Sequence, residues 1–286
     1  FCILSARRRG LGRNPRGLFS FEIFRHKYYN EYIMKSYRYS PLKRIAKQIY
    51  RKFDPIPGSP WTKGHVDDIC KINLVPPETL KTFFEGCISK LQAIKSKEVG
   101  DYLEFGVFNG SSLGSAYLTA KKMGLSSMKF FGFDSFEGLP TGTDDEHDIL
   151  QKGFYRCPFE KTKECLTKRD VNPDEVVWVK GLYNETLNDE TFSKIGYPKI
   201  GIVFIDCDTY SSSKTVFDFL APLIVEPAIF CLDDWKLYDM DIKGTGEYRS
   251  FNEFLEKNRH IKAKEIKSYN RKSKSFIIIP KVTPKD

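Results

Sequence analysis

Two stretches of this chain end in paired carboxylates. Asp206 and Asp208 close the apolar run KIGIVFIDCD (199–208), and Asp233 and Asp234 close AIFCLDD (228–234). Both runs read as buried strands. Neighbouring parallel strands end at one edge, where open α/β folds bind ligands. Four acids crowded there repel one another unless a cation holds them. Oxygen-only donors suit a hard ion such as magnesium better than zinc, so the pattern points to a divalent-metal site and to an enzyme.

A second constellation lies upstream. EFGVFNGSSLGSAY (104–117) sets Glu104, Gly106 and Gly110 in an E-x-G-x-x-x-G turn ahead of a helix begun by Ser111 or Ser112. Glycines there admit positive φ and close approach of a ligand, and the helix start offers free N–H groups. A lone Gly-rich turn also fits a plain strand-to-helix connection. Phe108 stands where a dinucleotide fingerprint wants Gly, which disfavours NAD. Asp134 ends the next strand, MKFFGFD (128–134), and is placed to accept ribose hydroxyls. Such charge-assisted bonds are worth about 1.5–3 kcal/mol each. Turn and acid together fit S-adenosylmethionine as well as they fit NAD.

The elements that must position these residues alternate from about residue 77 onward. A helix at PPETLKTFFEGCISKLQAIKS (76–96) precedes strands at 101–108, 128–134, 175–181, 199–208 and 228–234, with helices at 111–124, 185–195 and 211–223. That alternation predicts a doubly wound, mostly parallel α/β sheet. A helix near YRSFNEFLEKN (248–258) then leads to IKAKEIKS (261–268) and SKSFIIIPK (273–281), a closing antiparallel hairpin at the sheet edge. Polar inserts at 135–174 and 235–248 are too long for tight connections and emerge at the ligand-binding edge. Loops there usually act as lids or substrate-binding elements.

Four motifs, FGFDSFEGLP (131–140), VKGLYNETL (179–187), FIDCDTYSSS (204–213) and FCLDDW (230–235), share order and spacing with one family. Over about residues 77–280 the sequence resembles the TylF-type (macrocin, novobiocin, mycinamicin) sugar O-methyltransferases. The resemblance implies a seven-stranded, Rossmann-like class I methyltransferase fold, S-adenosylmethionine as donor and an essential Mg²⁺. By the same resemblance Asp206, Asp233 and Asp234 look like metal ligands, and Glu104, Gly106, Asp134 and Ser135 like cofactor contacts. The turn itself adds Gly110 and Ser112 to the cofactor set.

Methylating a sugar hydroxyl requires removal of a proton held about as tightly as that of water. Asp208 is the favoured base, with an outer-sphere acceptor as its plainer role. His147, in TDDEHDILQKG (143–153), is the runner-up, a loop residue that titrates near neutrality. Tyr210 and Ser211–Ser213 are expected to cap a helix. Trp235 and Tyr238 offer a sugar-stacking surface or simple packing. The acceptor is expected to be a small, hydroxyl-rich, sugar-like molecule, met by insert residues such as Asp144, Asp145, Glu146, Arg156 and Lys161.

Rival readings remain. D-x-D also marks metal-dependent glycosyltransferases, which need neither the Gly turn nor Asp234. A haloacid dehalogenase-type phosphatase wants Thr or Val where Tyr210 stands. A non-catalytic scaffold would gain nothing from four mutually repelling acids.

Charge and composition bound the rest. Of 46 Lys or Arg and 37 Asp or Glu, residues 1–60 hold 14 and 3, leaving 32 against 34 in a near-neutral body, residues 61–286. The basic, aromatic-interleaved arm could meet an acidic surface. The plainer expectation is that residues 1–33 are an over-extended or truncated frame with Met34 as the start. Seven cysteines without regular spacing read as reduced thiols in a cytoplasmic protein. No run reaches the 18 or so apolar residues of a membrane span. No nucleic-acid partner is expected, and loops and arm are suited to exchange in a homo-oligomer.

Overall fold

The computed structural model describes residues 69–96, 98–140 and 152–281. The basic arm and the loop segment carrying Asp144, Asp145, Glu146 and His147 lie outside the described residues. The chain divides into two units, Phe1–Pro57 and Gly58–Asp286. All described residues belong to the second.

Seven strands form one sheet: β1 (Asp101–Phe105), β2 (Phe130–Asp134), β3 (Val176–Lys180), β4 (Ile200–Ile205), β5 (Ala228–Leu232), β6 (Ile261–Ile266) and β7 (Lys274–Pro280). Their order is β3-β2-β1-β4-β5-β7-β6. β1 to β5 pair in parallel, while β7 runs antiparallel to both β5 and β6. The expected edge hairpin is present, and β7 alone is reversed. Every residue of β1, β4 and β5 is buried, as strands covered on both faces must be. The outer strand β6 carries Lys262, Lys264 and Glu265, charges that discourage pairing with another chain.

Strand side chains alternate between two cores. On one face Tyr102, Phe130, Ile202, Phe204, Ile229 and Cys231 pack against α1 (Pro77–Ile94) and α2 (Ser111–Lys122). On the other, Leu103, Phe105, Phe131, Phe133, Val203, Ile205 and Phe230 meet α5 (Asp189–Ile195), α6 (Tyr210–Leu220) and α8 (Gly246–Lys257). Pro77 opens α1 where its missing N–H costs nothing. Leu80, Phe84, Cys87, Ile88 and Leu91 form its buried stripe.

Several expected boundaries shift. The single helix anticipated at 185–195 is two, α4 (Tyr183–Thr186) and α5, because the Asn188 side chain accepts the Thr191 N–H at 2.9 Å and starts a new helix. The first insert contains α3 (Phe159–Thr167), and the second contains α7 (Met240–Lys243). The helix expected from residue 248 begins two residues earlier, at Gly246. After β3 the chain returns to place β4 beside β1. That reversal opens a crevice at the carboxyl ends of β1 and β4.

Candidate active site

The turn after β1 is held from several sides. Gly106 has φ +91°, and a Cβ on it would lie 1.8 Å from the Asp206 carbonyl oxygen. The glycine thus lets the β1 turn close against the end of β4. Gly110, at φ +74°, precedes α2. Asp134 gathers the loop between them. Its Oδ2 accepts the Val107 and Phe108 N–H groups, each at 2.9 Å, and its Oδ1 accepts that of Phe136 at 2.6 Å. Burial raises its pKa, and these three bonds pull it back. A carboxylate has about four acceptor positions, so about one remains for a ligand hydroxyl, where two had been anticipated.

Glu104 lies on the α1–α2 face, fully buried. Its oxygens accept hydrogen bonds from the Tyr102 hydroxyl and, at 2.7 Å, from Ser112 Oγ. Burial pushes its pKa up to about 8 despite these donors. Glu104 and Ser112 therefore tie β1 to the first turn of α2. Ser135 braces its own turn, donating to the Gly138 carbonyl at 3.2 Å and accepting the Glu137 N–H at 3.1 Å.

The same turn is fastened to distant segments. Asn109 Nδ2 donates to the carbonyls of Ile69 and Ile72 at 2.7 and 2.9 Å. Thr162, on α3, donates to the Phe108 carbonyl at 2.5 Å, and Arg169 donates to those of Asn109 and Cys70 at 2.8 and 2.7 Å. Cys70 and Cys165 form a disulfide across 95 residues of sequence. This corrects the expectation of uniformly reduced thiols: nothing in the spacing of two cysteines so far apart announces that their elements meet. Cys87, Cys157, Cys207 and Cys231 are free and buried.

At the ends of β4 and β5 the acids converge. Ligand oxygens of Asp206, Asp208 and Asp234 all lie within 4.8 Å of one another. Asp208 adopts φ +59°, costly for a residue with a Cβ. Its N–H donates to Asp234 Oδ2 at 2.9 Å. Asp233 is not in this compact set, unlike the expected trio of Asp206, Asp233 and Asp234. The alternation of β5 explains the difference. Asp233 follows Ile229 and Cys231 onto the α1 face, where the Tyr269 hydroxyl donates to its Oδ1, while Asp234 turns to the α8 side. Asp233 remains electrostatically close. After burial itself, it is the strongest influence raising the Asp206 carboxyl far above its ordinary range, followed by Asp234 and Asp208.

Two residues passed over in the sequence join the cluster. Glu247, at the start of α8, accepts the Asp234 N–H at 3.1 Å and is 1% exposed. Burial above all raises the phenol of Tyr155, from the first insert, with Asp208, Tyr238, Asp234 and Asp206 adding to it in that order. Trp235 packs against Tyr248, Phe251 and Phe276 as a core residue. Thr209 caps α6, accepting the Ser212 N–H at 3.3 Å, and Ser213 bonds back to the Thr209 carbonyl. The role expected of Tyr210 and the serine run thus falls to their predecessor.

The strand order, the reversed β7, the Gly-containing turn and the acid-ended second strand at the switch point define the class I methyltransferase fold. More narrowly, the chain belongs to the macrocin O-methyltransferase (TylF) family, whose model matches residues 80–268. A curated relative from Streptomyces olivaceus, 8-demethyl-8-(2,3-dimethoxy-alpha-L-rhamnosyl)-tetracenomycin-C 4'-O-methyltransferase, is 23% identical over 147 residues. That match takes in 48% of this chain and 54% of the relative, so the chain spans about half the length of the curated protein it matches. The O-methyltransferase NovP superposes with a TM-score of 0.53 at 16% identity, over 70% of this chain and 79% of its own. The calicheamicin methyltransferase CalS11 gives 0.51 at 17%, over 74% and 90%. At these identities the two solved structures share the fold. Among the described residues, no helix is long and apolar enough to cross a membrane.

Proposed function

We propose that this chain transfers a methyl group from S-adenosylmethionine to a hydroxyl of a sugar or glycosylated natural product, with a magnesium-type cation in the acid cluster. The observation that carries the reading is the contact of its two halves: Gly106 seats the nucleotide-type turn directly on Asp206. Family membership and the relative's named activity on a rhamnosylated compound support the same chemistry.

The residues fit a hard divalent ion. Every donor is a carboxylate oxygen, and burial together with mutual repulsion raises Asp206, Asp234 and Glu247. A cation offsets that repulsion. Asp206 and Asp234 belong to both the compact set and the set the family resemblance implies. We assign the third position to Asp233, since the Tyr269 hydroxyl bond is the outer support that ligating carboxylates typically have. Asp208 is then left for the proton. When bound, the cation would stabilise negative charge on the acceptor oxygen and the cofactor would supply the methyl group.

The chain's own residues do the rest. Asp134 offers its remaining acceptor position to a ribose hydroxyl while three N–H bonds fix its carboxylate. Gly106, Gly110 and Ser135 shape the turns around it, and Glu104 with Ser112 keeps α2 seated. Asp208 accepts the acceptor's proton during attack, a contribution of about 10²–10⁴-fold. His147 is the alternative base. The Cys70–Cys165 bond favours an oxidising setting over the reducing cytoplasm expected from cysteine spacing.

The test is methyl transfer from labelled S-adenosylmethionine to a panel of nucleotide sugars, deoxysugars and glycosides, with Mn²⁺ binding measured in parallel. Asp208→Asn should lower turnover by about 10²–10⁴-fold with Mn²⁺ affinity kept. Asp233→Asn should lose Mn²⁺ affinity. If His147→Asn alone slows turnover, the base is reassigned. Binding of a nucleotide sugar but not of S-adenosylmethionine would make the protein a glycosyltransferase instead.

A further inference from the structure

Glu247 is a buried acid that the chemistry above does not use. It lies in the first turn of α8, on the side of the sheet to which Asp234 turns. Oε2 accepts the Asp234 backbone N–H at 3.1 Å. Oε1 is the one buried side-chain polar atom among the described residues without a hydrogen-bond partner. An unpaired carboxylate oxygen in the interior forfeits its hydration with nothing in return. The groups around it deepen the cost. Asp234, Asp233 and Asp208 all act on Glu247 with like charge. Lys272 offsets Asp233 and Asp234, but only as a lesser influence. The described polypeptide leaves this one buried oxygen beside the acid cluster without a donor.

Resting on the cation reading above, we propose that Glu247 is a positioning residue of the metal site: Oε2 fixes the backbone of the ligand Asp234, and Oε1 accepts a hydrogen bond from a water on the divalent cation. Its Oε2 is taken by the Asp234 backbone N–H, which sets Glu247 behind that ligand rather than on the ion itself. Partners of this outer kind typically govern metal affinity by 10- to 100-fold. The same position explains why α8 begins at Gly246. Glycine at φ +56° brings the next residue, Glu247, under the end of β5.

Full-length protein stripped with a chelator is titrated with Mn²⁺, with free ion read by electron paramagnetic resonance and no cofactor or acceptor present. Glu247→Gln, which keeps an acceptor for the Asp234 N–H, should bind Mn²⁺ about 10- to 100-fold more weakly than wild type. Glu256→Gln, an exposed change on the same helix, should stay within twofold. S-adenosylmethionine affinity should be unchanged in both, which separates a metal-site role from general damage. If Glu247→Gln does not fold, Glu247→Asp keeps the charge one methylene short and should show the same weakening. Wild-type Mn²⁺ affinity in a folded Glu247 variant overturns this inference and leaves the proposed function standing. Wild-type protein that binds no Mn²⁺ overturns both.

Discussion

Glu104→Gln separates a structural carboxyl from its charge. In an unfolded chain this carboxyl releases its proton near 4.5, and in the folded protein near 8. Between those values the folded state binds more protons than the unfolded one, so stability falls as pH rises. At 1.36 kcal/mol per unit, the whole displacement corresponds to about 5 kcal/mol. Of this, about 2.7 kcal/mol is lost between pH 6 and pH 9. Glutamine matches the volume, offers one acceptor and one donor to the hydroxyls of Tyr102 and Ser112, and does not titrate. All other ionising groups are shared by the two proteins, so the difference between them isolates this residue. Urea unfolding at both pH values, followed by fluorescence of the buried Trp235, should show wild type losing about 2.7 kcal/mol relative to the variant. A wild-type-minus-variant difference that stays within about 0.5 kcal/mol across that range would refute the claim that Glu104 is held by burial in a protonated state.

Two further outcomes follow from the turn and its fastening. Gly106→Ala drives a methyl group into the Asp206 backbone, whereas Gly124→Ala meets nothing within 4 Å at a comparable φ. The latter should cost about 1–2 kcal/mol, and the former should lower the melting temperature by at least about 5 °C more. Equal shifts would mean that β1 and β4 do not meet as described. Reducing the Cys70–Cys165 bond should release two additional titratable thiols and destabilise the protein by about 2–5 kcal/mol in chemical denaturation. No gain in thiols on reduction would dispose of the bond.

Sheet and crevice were legible because their signals are local. Apolar runs such as IGIVFI and AIFCL carry their own burial, and strands that end in acids mark one edge. The resemblance supplied the family, and the strand order agrees with it. What escaped depends on contacts distant in sequence. Glu247 sits in a polar stretch whose burial is decided by β5, and only the packing of α8 under Asp234 makes it part of the site. Cys70 and Cys165 meet because Arg169, Asn109 and Thr162 draw three segments onto one turn. The acceptors of Asp134 were assigned to a ligand because backbone N–H groups leave no trace in a residue pattern.

The alternation at the end of β5 sets a constraint on chain length as well as on residue identity. Asp233 and Asp234 are adjacent, yet one is held by Tyr269 beside α1 and the other reaches Asp208 and Glu247 beneath α8. Because side chains change face at every residue, a single insertion or deletion within this strand would exchange the two acids without altering either one. Variation at this edge is therefore confined to substitution, while the flanking inserts, whose ends lie outside the register of the sheet, are free to change in length.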